Sequence, residues 1–208
     1  MADIPIRMLE LGSSTVYEAG RPFDAVRAMS PDIRPLWNGA TVCGPAVPVT
    51  CGARDNLAVH RAIEQCAPGS VLAVNGRGGL VGYWGEILTV AAQYQGIAGV
   101  VIDGGARDVT ELQARGFPLF SRGVGMCGAY KRQWGEVGLP TDVGGVPVRA
   151  GDLVVADADG VLVVAQDSVE RVLASAEERA AHEEHLMRRI EAGERTLDLF
   201  GLRRTTAD

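Results

Sequence analysis

The stretch "GVVIDGGARDVTELQARGFPLFSRG", Gly99–Gly123, decides the fold class. Its first apolar run is typical of a buried strand, which we expect to stop at Asp103-Gly104-Gly105. "VTELQARG" then has the pattern of a short helix closed by Gly116, and "FPLFSRG" is typical of another strand. A strand, a helix and a strand in this order predict parallel neighbours joined by a crossover helix. The sequence therefore predicts an α/β protein.

The preceding segments repeat this alternation. "NLAVHRAIEQC" predicts a helix closed by Pro68-Gly69, "SVLAVN" a buried strand, and "GEILTVAAQYQG" a helix that ends at Gly96. Earlier, "ATVCGPAVPVT" predicts a strand broken at Gly44-Pro45. Later, "VGGVPVRAGDLVVADADGVLVVAQ" predicts a β-hairpin that turns around residues 157–160. Parallel strands in the middle are thus followed by antiparallel ones.

Helices are predicted at both ends. The first 38 residues favour a helical region, in which Ser13-Ser14-Thr15 offer N-cap side chains to "STVYEAG" and "RPFDAVRAM" follows. From Asp167 to about Gly193 the sequence predicts a long charged helix with one apolar stripe. No repeat, low-complexity segment or linker interrupts the chain, so we expect a single domain over residues 1–208.

Composition narrows the classes of partner. Of the 208 residues, 47% are hydrophobic and 22% charged, and the net charge is −6. Because nucleic-acid binding draws on clustered Lys and Arg, an excess of acids disfavours it. The longest apolar runs are far shorter than the ~20 residues of a spanning helix, and the N-terminus does not resemble a signal peptide. We therefore expect a cytoplasmic protein with no membrane partner.

The cysteines and the lysine bear on the chemistry. The four cysteines, Cys43, Cys51, Cys66 and Cys127, lack zinc-site spacing, and we expect packed thiols. Lys131 is the single lysine, and it lies in the polar segment "AYKRQWGE". Since a Schiff base needs a lysine amine in an apolar site, imine chemistry is disfavoured.

Two loops carry the candidate site. "NGRGGLVG" fails the dinucleotide fingerprint at Val81, but it allows a loose loop at the end of a strand. The helix that begins near Gly85-Glu86-Ile87-Leu88 then offers free first-turn amides that can bind a carboxylate. The alternative is that Glu86 only complements the helix dipole.

The second loop is Arg107-Asp108, which should emerge beside the first because its strand follows "SVLAVN" in the sheet. An arginine can bind a carboxylate bidentately, and an aspartate suits a hard divalent ion such as Mg²⁺. The alternative is a surface ion pair, with Glu111 supporting a helix start. Among the histidines, His60 is expected to be a satisfied core residue, and His182 and His185 to lie on a solvated face.

Together, "GYWGEIL" and the opening stretch resemble the 4-hydroxy-4-methyl-2-oxoglutarate aldolase family, which also contains regulators of ribonuclease E activity. The resemblance covers roughly residues 13–193. Its signature is an acid, twenty residues and then Arg-Asp; here Glu86 precedes Arg107-Asp108 at that spacing, and Glu111 supplies a further acid. The characterised aldolases carry Asp where this chain has Glu86, which leaves the substrate open, and Asn75 stands where an aspartate is common.

The resemblance implies a role for each residue. Asp108 would hold Mg²⁺ or Mn²⁺ largely through waters. Arg107, with the backbone amides of Ile87 and Leu88 after Gly85, would bind the carboxylate of a pyruvyl group. Glu86 would act on or order a metal-bound water, and Glu183 from a neighbouring subunit is a weaker candidate acid. The divalent ion would polarise the α-keto group, in agreement with the shortage of lysine.

The implied fold is an α/β swivelling domain of β/β/α type, with a β-sandwich core, flanking helices and a long C-terminal helix. The implied activity is a metal-dependent aldolase that cleaves 4-hydroxy-4-methyl-2-oxoglutarate or 4-carboxy-4-hydroxy-2-oxoadipate to pyruvate and an α-keto acid, and that also decarboxylates oxaloacetate. Trimers or hexamers with sites at subunit boundaries are implied as well. A non-catalytic regulator that binds ribonuclease E stays open as the alternative, whereas a methyltransferase would lack its glycine fingerprint.

Overall fold

The computed structural model describes residues 4–132 and 134–203, so both ends of the predicted domain lie outside the described residues. The helices are α1 Ile4–Leu11, α2 Ser13–Gly20, α3 Leu57–Gln65, α4 Glu86–Tyr94, α5 Val109–Ala114, α6 Val169–Glu191 and α7 Thr196–Leu199, with 3-10 turns at Arg21–Phe23 and Gln166–Ser168. The strands are β1 Val26–Ala28, β2 Arg34–Pro35, β3 Val42–Thr50, β4 Val71–Asn75, β5 Gly82–Trp84, β6 Gly99–Ala106, β7 Leu119–Val124, β8 Glu136–Val137, β9 Thr141–Val143, β10 Val146–Val148, β11 Leu153–Asp157 and β12 Gly160–Val164.

Within the described chain, one mixed sheet contains every strand except the β9–β10 pair. Its order is β1-β12-β11-β3-β4-β6-β7-β2, with β5 beside β6 and β8 beside β3. The β1, β12 and β11 half is antiparallel, whereas β4, β6 and the main part of β7 run parallel. The predicted parallel strands and the β11–β12 hairpin are thus confirmed.

Strand β3 joins the two halves of the sheet. It pairs antiparallel with β11 over residues 42–45 and parallel with β4 over residues 46–50. The break predicted at Gly44-Pro45 is therefore wrong. At this point β3 changes its pairing partner from β11 to β4, but the strand itself continues. Pro45 has no N–H to donate, and it is tolerated because it lies where the pairing with β11 ends.

Three apolar clusters show how the layers pack. The inner one contains side chains from both halves of the sheet, including Val42, Val101, Phe120 and Val154, so the sheet curls around it as a half-barrel. A second cluster packs α3, α4 and α5 against the parallel half. A third packs α1, α2 and α6 against the antiparallel half. This confirms the predicted α/β architecture, in which helices flank a curled β core.

The N-terminal region is helical only in part. Segments α1 and α2 are helices, but "RPFDAVRAM" forms a 3-10 turn and then β1, which pairs with β12. Pro22 and the left-handed Asp24 (φ 54°) end the helical path. Ser13 does not cap α2; its N–H and hydroxyl donate to the Asp157 carboxylate at 2.7 and 2.6 Å, which fastens α2 to the β11–β12 turn.

The long C-terminal helix is confirmed as α6. Its buried side chains, Val172, Leu173 and Ala176, all lie in its first half, so the second half extends into solvent. Among the described residues, no helix combines the length and apolar character needed to cross a membrane.

Strand β6 is longer than predicted and runs through Gly104-Gly105 to Ala106. The glycines do not make a turn. A Cβ on Gly105 would lie 2.6 Å from the carbonyl oxygen of Val81, and one on Gly104 would lie 3.1 Å from the Tyr83 ring. Because the two glycines lack side chains, the segment that leads into β5 can pack directly against β6. This close packing brings the Glu86 loop beside the Arg107 loop.

The cysteines are all free thiols. Burial raises the pKa of Cys43 and Cys51 to about 12 and that of Cys66 to about 11, as expected for packed thiols. Cys127 is exposed, however, so the packing prediction is wrong for that residue. It lies in the loop after β7, which the apolar clusters do not cover.

Candidate active site

Neighbouring strands β5 and β6 deliver the two loops of the site. The Arg107 N–H donates to the carbonyl oxygen of Trp84 at 3.0 Å, which joins the loops through their backbones. Trp84 is fully buried; its ring stacks on Phe117 with centroids 5.8 Å apart, and its Nε1–H donates to the Thr89 hydroxyl. A large aromatic residue in the core thus fixes the backbone immediately before Gly85.

Asp108 has an unusual backbone. Its φ of 59° and ψ of 44° place a residue with a side chain in the left-handed region, which costs of order 1 kcal/mol. This conformation lets Asp108 Oδ2 accept the N–H of Glu86 at 2.9 Å, so one carboxylate oxygen covers the start of α4. Within the described chain, the structure records no hydrogen bond to Oδ1, and that oxygen remains available for a ligand.

Arg107 lies in a cradle of glycines. A Cβ on Gly82 would come within 2.9 Å of the Arg107 side chain, one on Gly85 within 3.3 Å and one on Gly128 within 3.4 Å, so the missing side chains at Gly82 and Gly85 let Arg107 pack closely there. Its Nε lies 3.7 Å from Asp108 Oδ2, and its side chain is half-exposed. The guanidinium is therefore positioned by backbone on several sides, with donors left for a ligand.

A cavity of about 100 Å³ unites most of the predicted residues. It is lined by Gly85, Ile87, Leu88, Arg107 and Asp108, which the sequence predicted, and by Asn56, His60, Gly82, Tyr83, Gly128, Ala129 and Lys131, which it did not assign to a site. Arg107 and the first residues of α4 thus line one surface, and the binding of a carboxylate there stays a prediction.

The other three predicted acids lie elsewhere. The Glu86 carboxylate accepts hydrogen bonds from Arg115, with Nη2 and Nε at 2.7 and 3.0 Å, and does not line the cavity. Glu111 is exposed in the first turn of α5. Glu183 is on α6, where it pairs with Arg179 at 2.8 Å. The roles of these acids remain predictions.

His60 was expected to be a satisfied core histidine, and this is wrong. Its Nε2 is buried without a hydrogen-bond partner among the described residues, and the same is true of Oδ1 of Asn56. Burial and the charge of Lys131 lower the pKa of His60, and the charge of Glu64 opposes them. The signal in the sequence was the spacing: Asn56 and His60 lie one helical turn apart, at the start of α3.

The donor set is compatible with a hard divalent cation. Mg²⁺ keeps several waters and takes one or two protein carboxylates, and Asp108 offers one free carboxylate oxygen in the cavity. In the part of the chain that the structure describes, no group of three or more His, Cys, Asp or Glu side chains forms a complete cage. An ion that keeps most of its waters, such as Mg²⁺ or Mn²⁺, fits this donor set.

Known proteins resemble this chain in sequence and in fold. The family model described as "RraA-like: Aldolase/RraA" matches residues 13–163. A relative from Halalkalibacterium halodurans, named "Putative 4-hydroxy-4-methyl-2-oxoglutarate aldolase", is 37% identical over 168 residues, 80% of each chain.

Two solved structures extend the likeness. A protein from Pseudomonas syringae pv. tomato, described as uncharacterized, has a TM-score of 0.85 and 29% identity, covering 94% of this chain and 91% of its own. The RNA-processing inhibitor RraA from Thermus thermophilis has a TM-score of 0.65 and 29% identity, covering 72% and 91%. The chain belongs to the RraA-like family of aldolases and RraA proteins.

Proposed function

We propose that this protein is a carbon–carbon lyase that cleaves 4-hydroxy-4-methyl-2-oxoglutarate or 4-carboxy-4-hydroxy-2-oxoadipate to pyruvate and a second α-keto acid, and that also decarboxylates oxaloacetate. The observation that carries the proposal is the cavity in which Arg107, Asp108 and the start of α4 meet. Aldolase names among relatives at 37% to 39% identity support a lyase.

The pyruvyl end of the substrate has a well-defined place in this proposal. Arg107 would bind the carboxylate through its guanidinium, and the free N–H groups of Ile87 and Leu88 would bind its second side. The partial positive charge of the helix start adds to the attraction. Substrate bound in this way would place its 2-oxo group toward Asp108.

A divalent metal, Mg²⁺ or Mn²⁺, is proposed as the cofactor, held by Asp108 largely through waters; when bound, it would supply Lewis acidity to the 2-oxo group. The protein's own contribution is orientation. Asp108 is held in place by the Glu86 N–H, and Arg107 by its glycine cradle. Neither residue needs to reorganise when substrate binds.

The remaining acids are assigned to water and proton handling. Glu86 would order a water at the cavity rim after its carboxylate separates from Arg115, an exposed ion pair that costs little to open. Glu111 is a secondary candidate for this role. Glu183 would act from a neighbouring subunit, since α6 extends from the body of its own chain, and a homotrimer or hexamer would bring it to the site.

The test is pyruvate release from oxaloacetate and from 4-hydroxy-4-methyl-2-oxoglutarate, with Mg²⁺ and then with a chelator. We expect both activities to require the metal. Arg107→Ala should lower kcat/KM on both substrates about 100-fold, because the carboxylate loses a bidentate charged partner. Arg107→Lys keeps the positive charge but cannot donate two parallel hydrogen bonds. Its kcat/KM should therefore lie between the values of wild type and Arg107→Ala.

Arg188→Ala is the matched control, since Arg188 forms an exposed pair with Glu184 far along α6. It should behave as wild type. Turnover that resists the chelator, or that survives Arg107→Ala and Asp108→Ala unchanged, would contradict the mechanism.

The alternative is a non-catalytic regulator that binds ribonuclease E, and the likeness to the Thermus RNA-processing inhibitor favours it as the second candidate. Absence of turnover on both substrates, together with direct binding of ribonuclease E that survives Arg107→Ala, would support this alternative instead.

A further inference from the structure

Two residues that line the cavity have no role in the pyruvyl site. Asn56 and His60 lie one turn apart at the start of α3, and both line the same cavity as Arg107 and Asp108. Each has a buried polar atom, Oδ1 of Asn56 and Nε2 of His60, with no partner among the described residues. Because an unpaired buried polar group is costly, two of them in one cavity indicate a ligand group that would meet them.

The chemistry of that group follows from Asn56. Its side-chain N–H donates to the carbonyl oxygen of Tyr83 at 2.8 Å, which fixes the amide and leaves Oδ1 as the atom without a partner. A carbonyl oxygen only accepts hydrogen bonds. A carboxylate beside Asn56 Oδ1 would therefore be unfavourable, because neither group can donate a hydrogen bond. A hydroxyl group can be accommodated there, because it carries a proton.

The groups around His60 favour an imidazole that is neutral in the free protein and that becomes protonated only during the reaction. Burial, and then the charge of Lys131 in the loop before β8, disfavour the charged form and lower the pKa of His60. Glu64, one turn further along α3, favours the charged form. The other charged groups that line the cavity are Arg107 and Asp108.

We propose that His60 is the general base that removes the proton of the 4-hydroxyl group of a 4-hydroxy-2-oxo acid, while the oxygen of Asn56 disfavours a carboxylate at this position. This inference rests on the proposed function and assigns a further residue to it. Bound through its pyruvyl carboxylate at Arg107, such a substrate would direct its fourth carbon away from the start of α4, toward α3.

The proton and electrons balance within the substrate. His60 Nε2 accepts the hydroxyl proton, and the O–H electron pair becomes the new C4=O bond. The C3–C4 bond breaks, its pair forms the C2=C3 bond of the pyruvate enolate, and the π pair of the C2=O bond moves onto the 2-oxo oxygen until C3 is protonated. The imidazolium then returns the proton to C3, which gives pyruvate, the second α-keto acid and neutral His60.

Comparison with oxaloacetate distinguishes a general base for the 4-hydroxyl group from a residue that binds substrate or supports the fold. Oxaloacetate has no 4-hydroxyl, and loss of carbon dioxide reaches the same enolate without a base at that position. We therefore expect His60→Gln, which keeps a polar group near Nε2 but cannot accept a proton at neutral pH, to lose about 100-fold in aldol cleavage. Its decarboxylation of oxaloacetate should stay within about threefold of wild type, by the same reasoning.

The unmodified protein gives a second measurement that does not depend on how a variant folds. Between pH 5 and 8, kcat/KM for aldol cleavage should fall on the acid side as His60 becomes protonated, with the midpoint below the ordinary histidine value of 6.5. Oxaloacetate decarboxylation should lack this acid limb. His185→Gln, on the exposed part of α6, is the control and should match wild type on both substrates.

Equal loss of both activities in His60→Gln would make His60 a binding or structural residue and overturn the proposal. So would aldol cleavage that is unchanged in the variant, or the same acid limb with both substrates. If wild type acts on neither substrate, the proposed function itself fails, and that outcome is recognisable before any variant is made.

Discussion

Gly85 matters because of the space that its missing side chain leaves. A Cβ at this position would overlap Asp108 Oδ2 and lie 3.3 Å from the Arg107 side chain. Gly85→Ala should therefore displace both groups and lower kcat/KM about 100-fold. The variant loses about one hydrogen bond, from the Glu86 N–H to Asp108. Its free energy of unfolding should therefore fall by only about 1 kcal/mol.

The matched control is Gly123→Ala in β7, where a Cβ would make an ordinary 3.4 Å contact with the end of Leu80. Steady-state kinetics and thermal unfolding of both variants check the prediction. A Gly85→Ala protein with wild-type kcat/KM would contradict this view of the site.

At the residue level, spacing could predict Arg107 and Asp108 but not how they are held. The left-handed backbone of Asp108 depends on tertiary contacts that no local pattern carries. His60 was misjudged for a related reason: an apolar helix face looks the same in sequence whether it packs on the core or borders a cavity. Lys131 is the single lysine, and only the fold brings its loop to the same cavity as His60 of α3.

At the level of elements, Asp103 ties the strand behind the site to its neighbours. Its Oδ1 accepts from Arg122 Nε of β7 at 2.6 Å, and its Oδ2 accepts from the N–H of Gly144 in the β9–β10 turn at 3.0 Å. This pairing raises the pKa of the Arg122 guanidinium. Asp103→Asn should lower the free energy of unfolding by about 2 kcal/mol, because a mostly buried charge loses its partner.

Asp32 provides the comparison, since it pairs with the same Arg122 at 2.9 Å but is 67% exposed. Asp32→Asn should cost less than about 0.5 kcal/mol, as exposed pairs do. Denaturant unfolding of the two variants measures the difference. Equal losses of unfolding free energy in Asp103→Asn and Asp32→Asn would mean that burial does not determine how much each ion pair with Arg122 stabilises the protein.

Element prediction succeeded where periodicity and buried contacts agree and failed where a strand changes partner. Helices α3 to α6 and strands β4, β6 and β7 were predicted near their observed positions. The segment after α2, which the sequence analysis includes in a helical region, instead pairs with the edge of β12 as β1. Strand pairing of this kind is a long-range interaction, and local sequence does not encode it.

For the whole molecule, the exposed face of α4 bears on assembly. Ile87, Val90 and Tyr94 lie at i, i+3 and i+7 on one face and are 80%, 45% and 90% exposed. An apolar stripe of this kind on an outer helix is typical of an interface, and Ile87 also lines the cavity. Association through this face would place a second chain at the rim of the site, as the proposed trimer or hexamer requires.

Tyr94→Glu tests this arrangement without touching the cavity, because Tyr94 is at the opposite end of α4 from Ile87. A charge buried in an apolar interface is costly, so the variant should elute from a sizing column as a smaller species than wild type. Its lyase activity should fall with the loss of the neighbour's Glu183, while its circular dichroism spectrum stays unchanged. Tyr94→Phe keeps the apolar face and should remain assembled and active. A monomeric wild type, or a Tyr94→Glu protein that elutes with wild type, would exclude α4 as the interface that brings Glu183 to the site.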